Sequence, residues 1–144
     1  MKKIIGSIFL LLSIQAFAEE KKTPDIVISN LVVMMPIQGT NVTAAFGLIE
    51  NRSNRAASVK FLELSPFKAV EMHETVEIQG KMGMRKIDEF LLPPHQNLEL
   101  KPGSHHIMLF DPSRSIKVGE KLEGKFSIGG KTVSARFVVK ERNK

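Results

Sequence analysis

The chain has 144 residues, a formal charge of +6 and no cysteine, tryptophan or tyrosine. The missing thiols exclude disulfides, thiolate metal centres and lipid attachment through cysteine. The basic residues are scattered rather than blocked and interleaved with aromatics, which excludes the usual footprint of a single-strand nucleic-acid binder.

At the N-terminus, Lys2 and Lys3 precede a mostly apolar run from Ile4 to Ile14, and Ala16-Phe17-Ala18 follows as a small-x-small cleavage site. Those are the three parts of a secretory signal peptide. The apolar run is shorter than the roughly 20 residues a membrane span needs. Residues 1–18 are therefore expected to be removed, leaving an exported chain of residues 19–144. Lys2 and Lys3 leave with the leader, so the formal charge falls to +4. A chain of that length suits one domain that buries about two-thirds of its unfolded surface. Without disulfides, its core must suffice.

The remainder reads as strands. Ile26-Val27-Ile28 and Leu31-Val32-Val33 form a first strand, interrupted by Pro36 and Gln38-Gly39-Thr40-Asn41. Val42 to Ile49 is a second, closed by a loop from Glu50 to Arg55. Ser58 to Leu64 alternates, with Val59, Phe61 and Glu63 on one side and Lys60, Leu62 and Leu64 on the other. Ala69 to Val76 and Met82 to Ile87 flank a hairpin turn at Gln79-Gly80-Lys81. Asn97 to Leu100 runs into the turn Lys101-Pro102-Gly103-Ser104, and His106 to Phe110 follows as a strand. Asp111 to Glu120 reads as a connecting loop. Lys121 to Ile128 and Lys131 to Val139 are joined by the two-residue loop Gly129-Gly130. Short strands at this spacing, with no sustained helical periodicity after the leader, predict an all-β fold in a single domain, a β-sandwich or a Greek-key barrel. The ends, Glu19 to Pro24 and Glu141 to Lys144, are expected to be disordered.

Four soft donors punctuate this pattern: His73, ten residues, Met84, twenty-one residues, His106, one residue, Met108. Imidazole nitrogen and thioether sulfur together prefer Cu(I) to harder divalent metals. Side chains at i and i+2 share a strand face, so His106 and Met108 can reach one ion while Ile107 fills the core. His73 and Met84 lie on the two arms of the Gly80 hairpin. The two pairs can then converge at one end of the sandwich.

The spacing resembles the copper-binding signature of the PCuAC family of periplasmic copper chaperones. Val70-Glu71-Met72-His73-Glu74-Thr75, Gly83-Met84-Arg85 and Leu100-Lys101-Pro102-Gly103-Ser104-His105-His106-Ile107-Met108-Leu109 extend the likeness. Ile49-Glu50-Asn51 resembles the family's earlier strand ending in Asn. The resemblance covers Ile26 to Val139. It implies a cupredoxin-like β-sandwich that binds one Cu(I) through His73, Met84, His106 and Met108. It also implies delivery to the CuA centre of cytochrome c oxidase, alongside Sco-type thioredoxin-like proteins. The family's optional Met directly after the first His is replaced here by Glu74.

Each residue also has a bland reading. A lone His can be a surface strand residue and a lone Met can fill core gaps. His105 should face away from His106, His95 should sit in a loop, and Met34-Met35 should pack at a strand end. Met72 should point into the core. Met82, sharing parity with Met84, is the candidate for a further sulfur.

Rival functions fit less well. A blue-copper centre needs a Cys thiolate. Ser104 beside two His lacks an acidic orienting partner for hydrolysis. An oxidase would want more His and an open position for oxygen. The alternatives that stand are a periplasmic copper storage or resistance protein and a metal-free exported interaction domain. Storage proteins usually hold many ions in repeated clusters, whereas this chain has one constellation, which favours a non-enzymatic carrier.

Overall fold

A computed structural model describes residues 25–142, so the leader expected at residues 1–18 and most of both ends lie outside the described residues. The described chain is all strand and loop. In chain order the strands are β1 (Ile26–Met34), β2 (Val42–Asn51), β3 (Ala57–Leu64), β4 (Phe67–Ile78), β5 (Lys81–Ile87), β6 (Phe90–Leu92), β7 (Asn97–Leu100), β8 (His105–Pro112), β9 (Lys121–Ile128) and β10 (Lys131–Lys140).

Hydrogen bonding links them in the order β5-β4-β8-β7-β2-β1-β10-β9-β3-β6, with a further β8–β2 pairing. Most neighbours are antiparallel; β1 with β10 and β7 with β8 are parallel. One buried apolar cluster draws on both halves of this ribbon, from Met72, Ile107 and Leu109 to Val59, Phe126 and Phe137. A flat sheet could not gather those residues, so the ribbon folds over on itself as a sandwich. Phe61 anchors the fold, edge-on to Phe126 at 4.8 Å and to Phe137 at 5.7 Å between ring centroids. On β9, Leu122, Phe126 and Ile128 are buried while the lysines and Glu123 between them are exposed, as period-two patterning requires.

Several sequence expectations need correction. Glu50 and Asn51 belong to β2, paired with Val27 and Ile26, rather than to the loop. The ladder between β3 and β9 shifts register between Phe61 and Glu63. That bulge returns Leu64 to the core and leaves Leu62 and Glu63 exposed, so strict alternation fails there. Asp111 and Pro112 extend β8. Residues Phe90–Leu92, unassigned from sequence, form the short edge strand β6 on β3.

The Gly80 hairpin forms as expected. Ile78 pairs with Lys81, and Gln79 and Gly80 both take positive φ, the conformation a tight two-residue turn demands. This hairpin makes β5 one terminal strand of the sheet.

Candidate metal centre

Register decides which side chains meet. In the β4–β8 ladder His73 lies opposite His106 and Glu71 opposite Met108. In the β4–β5 ladder Thr75 lies opposite Met84 and His73 opposite Lys86. Parity therefore puts Glu71, His73, Thr75, Met84, Lys86, His106 and Met108 on one face of three adjacent strands. Met72 and Ile107, one residue out of phase, are buried on the other face. All four sequence-predicted donors are thus brought to the outer face of the sheet, near where β8 begins.

The two imidazoles are neighbours, with ring centroids 5.8 Å apart. His106 is only 6% exposed, whereas Met84, on the terminal strand, is 64% exposed. Met84, His106 and Met108 open onto a groove of about 500 Å³ walled mainly by Ile37, Val42, Phe46 and Pro102. The site thus grades from an enclosed imidazole to an open thioether.

Hydrogen bonds hold both rings. His73 Nε2 lies 2.8 Å from Glu71 Oε2, and Lys86 Nζ donates to Glu71 Oε1 at 3.0 Å. The His73 ring and then the Lys86 ammonium hold the Glu71 carboxyl below the usual carboxylate range. His106 Nδ1 lies 3.0 Å from the Ser104 carbonyl oxygen. Thr75 donates to the same oxygen through its amide and its hydroxyl, each at 3.1 Å, which ties the turn before β8 to β4.

One atom is left over. His73 Nδ1 is buried with no hydrogen-bond partner. A buried nitrogen without a partner is costly unless something binds it, and a metal ion is one such partner. Among the described residues no three His, Asp or Glu side chains converge as a hard-metal cage. On this face the oxygen groups of Glu71 and Thr75 are engaged in hydrogen bonds, and the other candidate donors are imidazole and thioether, the set that suits Cu(I).

The remaining sequence candidates lie apart from this face. His105 points to the opposite side, 3.9 Å from Glu74 and edge-on to Phe90. His95 sits in a loop beside Asn54. Met35 packs on the core. Met82 shares the face of Met84 but lies opposite Glu77, nearer the hairpin tip, and is 68% exposed. Sequence reasoning missed Glu71, Lys86, Thr75 and the apolar groove wall. Glu71 could have been read from its i−2 offset to His73; Lys86 could not be read without the register.

This architecture is the one seen in PCuAC domains, a cupredoxin-like β-sandwich. Similar solved structures include the copper-bound PCuAC domain from PmoF2, with a TM-score of 0.67 and 20% identity, covering 84% of this chain and 97% of that one. Another is Cu(I)-loaded DR1885 from Deinococcus radiodurans, with a TM-score of 0.69 and 22% identity, covering 85% and 83%. In sequence, residues 26–139 match the family model described as "Putative lipoprotein LpqE-like", and the chain belongs to that family. Relatives include an uncharacterized protein of Rickettsia prowazekii, 33% identical over 90 residues, which are 60% of this chain and 49% of that protein. A Leifsonia xyli protein named as a lipoprotein is 33% identical over 85 residues, 58% of this chain and 51% of that one. The match spans about half the length of each of these two relatives.

Proposed function

We propose that this protein is a periplasmic carrier of copper: it holds one Cu(I) ion through His73, Met84, His106 and Met108 and passes it to a copper-accepting protein. The observation that carries the reading is the unpartnered, buried His73 Nδ1, on a face where a second imidazole and two thioethers gather. The fold shared with a copper-bound PCuAC domain supports it. So does the membership of a family named for lipoproteins, which are exported, together with the expected leader at residues 1–18 and a mature domain at 19–144.

The copper is cargo: its coordinate bonds to this chain would be exchanged for new ones in the recipient, and no covalent bond would change in either protein. The protein's part is to present soft donors and to keep harder ones occupied. The carboxylate that shares this face, Glu71, is already engaged by Lys86 and His73. On the resemblance to PCuAC proteins, the recipient is the CuA-bearing subunit of cytochrome c oxidase, with a Sco-type thioredoxin-like protein acting alongside.

An anaerobic Cu(I) titration of residues 19–144 against a chromophoric chelator tests this. The wild-type protein should bind one equivalent tightly. Met84→Ala should bind at least about tenfold more weakly, as expected for loss of one ligand. Its far-ultraviolet circular dichroism should be unchanged, because substitutions at exposed positions typically shift stability by about 0.5 kcal/mol or less. A wild-type protein that takes up no Cu(I) would leave the metal-free interaction domain as the better reading.

A further inference from the structure

Two imidazoles stand side by side on the same sheet face, yet their hydrogen-bond partners oppose each other. The Ser104 carbonyl can only accept, so the His106 Nδ1 beside it must carry a hydrogen. In the neutral ring, His106 Nε2 is then the atom with the free lone pair. At His73 the order is reversed. The Glu71 carboxylate can only accept, so His73 Nε2 carries the hydrogen and Nδ1 keeps the lone pair. A doubly protonated ring would bury an Nδ1 hydrogen with no acceptor, since that atom has no partner.

Glu71 is itself held. Lys86, opposite His73 in the β4–β5 ladder, takes its second oxygen at 3.0 Å. The three side chains form a line across two strands, Lys86 to Glu71 to His73. A carboxylate suits its centre because it accepts at both ends.

We propose that Glu71 is a positioning residue: anchored by Lys86, it fixes the tautomer of His73 so that Nδ1 faces the ion, while the Ser104 carbonyl fixes the opposite tautomer at His106. The consequence for copper rests on the carrier reading; the tautomers themselves do not. Glu71 acts only through His73, and as a hard oxygen donor it is a poor ligand for Cu(I).

Substitution by glutamine makes the idea testable because the shape is kept and the polarity is not. An amide has one accepting end and one donating end. The Lys86 ammonium can only donate, so it should claim the amide oxygen and turn the NH₂ group toward His73. His73 Nε2 must then accept, which moves its hydrogen to Nδ1, the atom the ion needs.

The experiment is a long-range proton–nitrogen correlation spectrum of the metal-free, ¹⁵N-labelled protein, paired with the chelator titration. In the wild type, His73 should carry its hydrogen on Nε2 and His106 on Nδ1. Glu71→Gln should shift the His73 population toward the Nδ1–H form and weaken Cu(I) binding by about 10- to 100-fold, the range typical of such partners. Adding Lys86→Met frees the amide oxygen to turn to His73 and should restore both the tautomer and most of the affinity. A purely structural Glu71 would leave tautomer and affinity unchanged in the isosteric glutamine variant, which overturns the proposal. A wild-type His73 protonated on Nδ1 overturns it as well. If the wild-type spectrum is as expected but no Cu(I) binds, the carrier reading fails and the tautomer assignment stands.

Discussion

Asn51 occupies a position that is only 1% exposed, and it uses every polar atom it has there. The two hydrogens of its Nδ2 group reach the carbonyls of Arg55, Leu92 and Pro93 at 2.8, 3.1 and 3.0 Å, one of them shared between two acceptors, and its Oδ1 accepts from the amide and hydroxyl of Ser53. One side chain thus ties the end of β2 to the following loop and to the exit of β6. Asn51→Ala would strand these buried groups, and we expect a loss of about 2–3 kcal/mol, measurable by urea unfolding at unchanged m-value. At this scale the shared face of His106 and Met108 was legible from strand parity, whereas placing His73 and Met84 beside them took the register of the β4–β5 and β4–β8 ladders. The role of Asn51 was not legible, since two of its partners are carbonyls about 40 residues away, at Leu92 and Pro93. Glu71 was quoted but given no role, because its importance depends on which ring nitrogen it touches.

Among the elements, β3 shows where pattern reading fails. Alternation put Leu62 and Leu64 on one side, and the bulge after Phe61 separated them. The bulge sits beside Gly124, where an added Cβ would meet the Phe137 ring at 2.9 Å, Leu64 Cδ1 at 3.0 Å and the Glu63 carbonyl at 3.1 Å. Phe137 and Leu64 are both fully buried and cannot easily give way. Gly124→Ala should therefore destabilise the fold by about 1–3 kcal/mol through overpacking, read as a lowered denaturation midpoint. The long hairpin of β4 and β5 was legible from Gly80 between two apolar runs, although Lys81, read as part of the turn, begins β5. β6 was not, since a three-residue edge strand is defined by its neighbour rather than by its own composition.

For the molecule as a whole, the three strands that carry the proposed ligands stand side by side at one end of the sheet order. A bound ion would therefore join segments some 35 residues apart in the chain. Ligand that binds only the folded state stabilises it by mass action, about 2.7 kcal/mol at a hundredfold excess over Kd. For a domain of this size we expect Cu(I) loading under those conditions to raise Tm by about 10 °C, and the rise should grow with free copper concentration. Differential scanning calorimetry under anaerobic conditions would check this; a Tm indifferent to copper would count against folded-state binding.

The gradient of exposure across the site bears on kinetics. On the proposed carrier reading, with Met84 open at the sheet's terminal strand and His106 enclosed, a recipient's donor atom would take the place of one sulfur while both rings still held the ion. Unloading of that kind is associative: its rate rises with recipient concentration, and the ion is never set free in water. A carrier built this way discharges on collision and is otherwise slow to leak.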